Sequence, residues 1–163
     1  MTSSREFAAI VLAAGKGTRM KSRTHKVLHP IAGRPMLDHL LATVDALQPT
    51  RKVVVVGAGR DQLEQALGGR ADTCLQEPQL GTGHAVQQAE EPLGDFTGDV
   101  LVLYGDVPFV RGETMRAMLD RLHAEDAPKV VVLGFEPEDA LAYGRVIADD
   151  EGRISKMVEF KDA

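Results

Sequence analysis

The chain has 163 residues, 44% of them hydrophobic and 26% charged, with a formal net charge of −5. That length can bury a core without staples, and the acidic balance argues against a nucleic-acid backbone as partner. A single cysteine, Cys74, excludes an intrachain disulfide, a zinc ribbon and a Cys-x-x-Cys redox pair, which fits a reducing cytoplasmic setting.

In chain order, AAIVLAA (8–14) reads as a buried strand, continuously apolar and ended by Gly15. Glu6 interrupts the basic lead-in of a signal peptide, and no apolar stretch reaches membrane-spanning length. A mature cytosolic start without membrane association is therefore expected. PMLDHLLATVDAL (35–47) reads as a helix, with Pro35 in its first turn and Met36, Leu37, Leu40, Leu41, Val44 and Leu47 at helical spacing. KVVVVGAG (52–59) is a second buried strand, RDQLEQALGG (60–69) a short helix stopped by glycine, and DTCLQ (72–76) a brief strand. TGHAVQQAEEPL (82–93) reads as one helix capped by Thr82. DVLVLYGDVPFV (99–110) is a strand running into a loop, GETMRAMLDRLHAE (112–125) an amphipathic helix, and KVVVLGFE (129–136) another strand. GRVIADDEGRISKMVEF (144–160) reads as a hairpin around Asp-Asp-Glu-Gly. This alternation predicts an α/β fold in one domain: a mainly parallel mixed sheet flanked by helices. Chemistry then belongs in the loops after the strands, because open sheets of this class bind ligands at strand carboxyl ends.

Three such loops carry suitable residues. GKGTRMKSRTHK (15–26) combines glycines that let backbone approach a ligand with Lys16, Arg19, Lys21, Arg23 and Lys26, and its N–H groups can cradle phosphate oxygens. It is not G-x-x-x-x-G-K-[ST], because the lysine lies between the glycines, and not G-x-G-x-x-G, because Met20 stands at the third glycine. Taken alone, it is equally a tight turn with solvated cations. In QEPQLGTGH (76–84), Gly81-Thr82-Gly83 can offer backbone donors and a hydroxyl to a polar ring or an anion, or simply cap a helix. The Gln76 amide can read a base edge or be solvated. In LVLYGDVPF (101–109), Asp106 ends the most apolar strand. It can hold Mg²⁺ or cap a turn before Pro108, and Tyr104 and Gly105 would flank any ligand. The five histidines show no metal spacing and read as structural or surface residues, and no nucleophile has an evident base. Together the three loops point to a magnesium-dependent nucleotide-phosphate site.

Across nearly its whole length the chain resembles one family. LAAGKGTRMKS, KVLHPIAGRPM, LQEPQLGTGHAV, VLYGDVP, YGRVI and VEFKDA are similar to the N-terminal uridylyltransferase domain of the bifunctional N-acetylglucosamine-1-phosphate uridylyltransferase/glucosamine-1-phosphate acetyltransferases. The glycine loop is shared by many sugar nucleotidylyltransferases; QLGTGHA and the YGRVI and VEFKDA segments carry the narrower resemblance.

The resemblance implies a Rossmann-like nucleotide-diphospho-sugar transferase fold. It implies transfer of UMP from UTP to N-acetylglucosamine-1-phosphate, giving UDP-N-acetylglucosamine and pyrophosphate for cell-wall precursor synthesis. Leu12, Ala13, Ala14 and Gly15 would line the nucleotide, Arg19 and Lys26 would grip the triphosphate, and Gln76, Gly81 and Thr82 would read uracil. Asp106 would bind Mg²⁺, and Tyr104, Gly105, Gly144 and Glu159 would border the sugar. A phosphate monoester has a second pKa of roughly 6 and is already an anionic nucleophile, so no general base is needed. Residues 1–163 then represent one partial nucleotidyltransferase domain. A second metal ligand, a sugar-binding asparagine and the trimerising acetyltransferase β-helix all lie in family segments absent from this sequence. The alternatives are a nucleotide-binding fragment without turnover, or a relative using another sugar or base.

Overall fold

The computed structural model describes residues 5–15, 17, 20–139 and 143–158. Its centre is β1 (Phe7–Leu12), in which the β-branched Ile10 and Val11 sit among alanines and only Leu12 is not fully buried. β4 (Arg51–Val56) lies parallel on one side of it, and β5 (Asp72–Leu75) beyond that; β6 (Asp99–Tyr104) lies parallel on the other side, for the order β5-β4-β1-β6. Leu12 pairs with Val55 and with Tyr104, and Val56 pairs with Leu75. The four strands therefore end at one level, and the loops that follow them open on one edge.

Strand alternation divides the core between two faces. Phe7, Ala9, Val11 and Ala13 point to the face covered by α1 (Met36–Ala46), α2 (Arg60–Leu67) and α5 (Gly112–Arg121). Those helices contribute Leu37, Leu40, Leu41 and Val44, then Leu63 and Leu67, then Met115. Ile10, Ala14, Val53 and Val55 face the opposite way, onto Ala85 and Ala89.

The helix expected over 82–93 is two pieces, α3 (Thr82–Gln87) and α4 (Glu90–Leu93). Pro92 explains the break: it has no N–H for the carbonyl of Gln88, and its ring crowds that carbonyl. Among the described residues antiparallel pairing is confined to two small separate sheets. One is β2 (Pro30–Ile31) with β3 (Arg34–Pro35), joined through Ala32 and Gly33, both at positive φ. The other is the expected hairpin, β7 (Arg145–Ala148) with β8 (Ile154–Val158). Asp149 ties its turn by accepting from the Glu151 and Arg153 backbone N–H groups and from Arg153 Nε. These bonds, led by the Arg153 N–H, hold the Asp149 carboxyl below its ordinary pKa.

The strand expected over 129–136 does not form. Its residues join no ladder, and Val130, Leu133 and Phe135 are exposed by 72%, 52% and 66%. Lys129, Val130 and Val131 share a groove with Val100 and Val102 of β6 but make no backbone pairs with that edge. A β-branched run supplies propensity; a strand also needs a partner in register.

Candidate functional site

The carboxyl edge assembles most of the expected residues. β1 runs into Ala13 and Ala14, both buried, and Ala13 N–H donates to the Val55 carbonyl at 2.9 Å. Gly105 N–H donates across to the Leu12 carbonyl at 2.9 Å, so the loops after β1 and β6 are stitched together. A side chain on Gly105 would stand 3.1 Å from the Leu12 oxygen and 3.3 Å from Val27, which explains the bare backbone there.

Lys26 starts a single 3-10 turn, Lys26–Leu28, and its Nζ reaches Asp106 Oδ2 at 2.5 Å. The two residues are 80 positions apart, and the fold alone brings them together. Both side chains are about one-third exposed, at 35% and 36%, so ligand oxygens can reach them. Gly17 allows this approach: its φ is +58°, and a Cβ there would lie 2.7 Å from Lys26 Cβ. Tyr104, half exposed, ends β6 beside them.

On the other side of the cluster, Gln76 is buried, and its backbone N–H donates to the Val56 carbonyl at 2.8 Å. Its Nε2 donates to the Gly81 carbonyl at 2.8 Å and lies 3.3 Å from His84 Nδ1. Gly81, at φ +104° and ψ 178°, caps α3, and Thr82 is that helix's first residue and exposed. A cleft of about 320 Å³ runs between Gly57-Ala58 and the Leu75–Gln79 segment, with Gln76 in its wall. Gln79 Nε2 donates to the Ala14 carbonyl and joins this loop to the one after β1.

Leu12, Ala13, Ala14, Gly15, Lys26, Gln76, Gly81, Thr82, Tyr104, Gly105 and Asp106 thus lie on one edge. Gly144 does not join them by strand pairing: it precedes β7, in the hairpin. Arg19 and Glu159 lie outside the described residues. Among the described residues no group of three or more His, Cys, Asp or Glu side chains could hold a metal by itself. Burial pushes the Cys74 thiol up to about 11, with Glu91 adding to the effect, so it is no nucleophile at neutral pH.

Two further features of the site have no sequence signature. One is Gln79 on Ala14. The other is His25, 5% exposed, whose ring nitrogens both lack a partner. Its backbone N–H donates to Gln62 Oε1 at 3.0 Å, Gln62 Nε2 donates to the Arg23 carbonyl at 3.0 Å, and Gly59 leaves space for the ring. Loss of hydration lowers the His25 pKa from 6.5. The unfolded chain then takes up a proton near pH 6.5 while the folded chain resists it. Stability is complete above that pH and falls from there down to the folded-state pKa. In denaturant titrations between pH 8 and 5, His25→Leu should lose the part of the slope owed to this residue, at most about 1.4 kcal/mol per pH unit.

The MobA-like NTP transferase domain family matches residues 9–152. The chain is 71% identical over 157 residues to "Bifunctional protein GlmU" of Novosphingobium aromaticivorans, covering 96% of this chain and 35% of that one. It is 72% identical to the Sphingopyxis alaskensis protein of the same name, again over 96% and 35%, and 52% identical to that of Zymomonas mobilis, over 100% and 37%. The chain therefore spans about a third of the length of these curated relatives. Among solved structures, HddC from Yersinia pseudotuberculosis complexed with GMP-PN superposes with a TM-score of 0.70 at 21% identity, over 93% of this chain and 68% of that one. Rv0371c from Mycobacterium tuberculosis, in complex with manganese, gives 0.59 at 20% identity, over 71% and 58%. These two likenesses show the shared fold.

Proposed function

We propose that this chain, which belongs to the MobA-like NTP transferase domain family, contributes a uridylyl-transfer site. That site would convert UTP and N-acetylglucosamine-1-phosphate to UDP-N-acetylglucosamine and pyrophosphate. The observation that carries this reading is the convergence of the Gly105–Asp106 loop, Lys26 and the Gln76–Thr82 segment on the exposed ends of one parallel sheet. The high identity to proteins named GlmU supports the choice of nucleotide and sugar.

In this reading the backbone from Leu12 to Gly15 lies along the nucleotide. Lys26, with Arg19, neutralises triphosphate charge as pyrophosphate leaves. Gln76, Gly81 and Thr82 hold the base; Tyr104, Gly105, Gly144 and Glu159 border the sugar. The sugar phosphate is anionic at neutral pH, so placing its oxygen in line with the α-phosphorus is the main task left to the protein. A divalent cation, Mg²⁺ in this proposal, fits Asp106 if phosphates and water complete its shell, as is usual for this ion, and would supply charge neutralisation at the phosphates. Lys26 pairs with Asp106 Oδ2, so nucleotide binding would exchange that ion pair for contacts to phosphate.

The ion pair that Lys26 makes with Asp106 favours one second reading: a site that binds the nucleotide without turnover. A pyrophosphate-release assay with UTP, N-acetylglucosamine-1-phosphate and Mg²⁺, run beside UTP calorimetry, separates the two. Release is the expected result. Binding without release selects the second reading, and the absence of both overturns the assignment.

A further inference from the structure

We propose that His84 and Gln88 are positioning residues that set which end of the Gln76 amide meets the base, so that the site selects nucleobases carrying an imide N–H. The idea rests on the uridine-nucleotide reading above and adds the reason for that base preference.

The argument starts at Gly81. Its carbonyl can only accept, so the Gln76 atom 2.8 Å from it is the amide nitrogen. The same nitrogen lies 3.3 Å from His84 Nδ1. An amide nitrogen has two hydrogens and no acceptor capacity, so Nδ1 must be the bare nitrogen of the ring, and the imidazole proton sits on Nε2. That proton faces the Gln88 amide at 3.2 Å. Gln88 Nε2 also stands 3.1 Å from the His84 carbonyl. A neutral imidazole cannot accept from both glutamines, so one of the two amides must turn.

Burial decides which. Gln76 is 6% exposed, and turning it would set its Oε1 against the Gly81 carbonyl oxygen at the 2.8 Å now held by the nitrogen. Gln88 is only half-buried: its turn sets Oε1 beside the His84 carbonyl oxygen, 3.1 Å from the present nitrogen, where water can come between the two acceptors. A half-turn of the Gln88 amide puts Oε1 against the His84 Nε2–H. The relay then runs in one sense: Gln76 donates to Gly81 and to His84, and His84 donates to Gln88.

The consequence falls on the base. Both hydrogens of the Gln76 amide are consumed inside the protein. Its Oε1 takes no donor from the described residues and is not sealed from solvent, and the residue lines the 320 Å³ cleft. Of that amide, only the acceptor is left for a ligand. Uracil meets it with its N3–H. Cytosine, whose N3 is itself an acceptor, meets it with repulsion.

The test uses the full chain and never alters Gln76. Nitrogen NMR of the His84 ring should show a bare Nδ1 and a protonated Nε2. Calorimetric competition between UTP and CTP should favour UTP. Gln88→Glu, which can only accept at this position, should keep that discrimination. Gln88→Lys, which can only donate, should move the ring proton to Nδ1, release Gln76 and lower the discrimination about tenfold, the size of one lost hydrogen bond. His84→Phe should lower it likewise, with the circular dichroism spectrum of the native fold. Protonated Nδ1 in the unaltered chain, or wild-type discrimination in folded Gln88→Lys and His84→Phe, overturns the relay. Failure of the unaltered chain to bind either nucleotide overturns the uridylyl reading instead, and the ring spectrum with its response to Gln88→Lys still decides the relay.

Discussion

Replacing Lys26 with alanine should lower pyrophosphate release by about 10²- to 10³-fold, the usual cost of removing one preorganised group that stabilises transition-state charge. Folding stability should change little. The Lys26–Asp106 pair is one-third exposed on both sides, and pairs of that kind contribute about 0–1 kcal/mol. The effect should fall on turnover more than on UTP affinity, because charge accumulates on the leaving pyrophosphate only as the bond breaks. Lys26→Arg should recover only part of the rate, since a planar fork replaces a point charge in a space shaped by Gly17. Steady-state kinetics beside a thermal melt checks each element. An unchanged rate in Lys26→Ala would remove the residue from the phosphate site.

Gly57→Val should damage both the fold and the site. Gly57 follows β4, and a Cβ built on it would stand 2.6 Å from the Ala14 carbonyl oxygen and 2.8 Å from Gln79 Nε2. The nearer obstacle is backbone at the end of the central strand and cannot swing aside. Overpacking of this kind costs about 1–3 kcal/mol, and the relief available is to push Ala14 and Gln79 apart. That separation would spoil the surface along which the nucleotide is proposed to lie. Gly134→Ala is the control, because nothing lies within 4 Å of that position. A melt and UTP calorimetry on both variants should show loss in the first and none in the second.

The architecture was largely legible in the sequence because its strongest signals are local. The unbroken apolar runs of β1, β4 and β6 and the glycines behind them marked the buried strands and their loops. Helical spacing marked α1, and Asp-Asp-Glu-Gly marked the hairpin. What failed has two causes. The run at 129–136 has the composition of a strand, but no edge pairs with it, and the continuity of 82–93 was broken by a proline whose effect falls four residues earlier. In the site, each loop could be suspected from its own residues. Lys26 against Asp106, Gln79 against Ala14 and the ring of His84 between two glutamines could not be seen, because loop packing brings these residues together and no periodicity encodes it.

The position of β1 has a consequence for how the molecule comes to exist. It is the earliest strand of the sheet in the chain, yet it is flanked on both sides, by residues 51–55 and by residues 99–104. Each pairing closes a long loop, and such closures slow folding more than they weaken the finished structure. As the chain leaves a ribosome, β1 emerges before both partners and stays without its second neighbour until Tyr104 has been made. The bond from Gly105 to Leu12, which joins the loops around the proposed phosphate site, is available only one residue later. The carboxyl end of β1 is thus made before both of the strands that hold it.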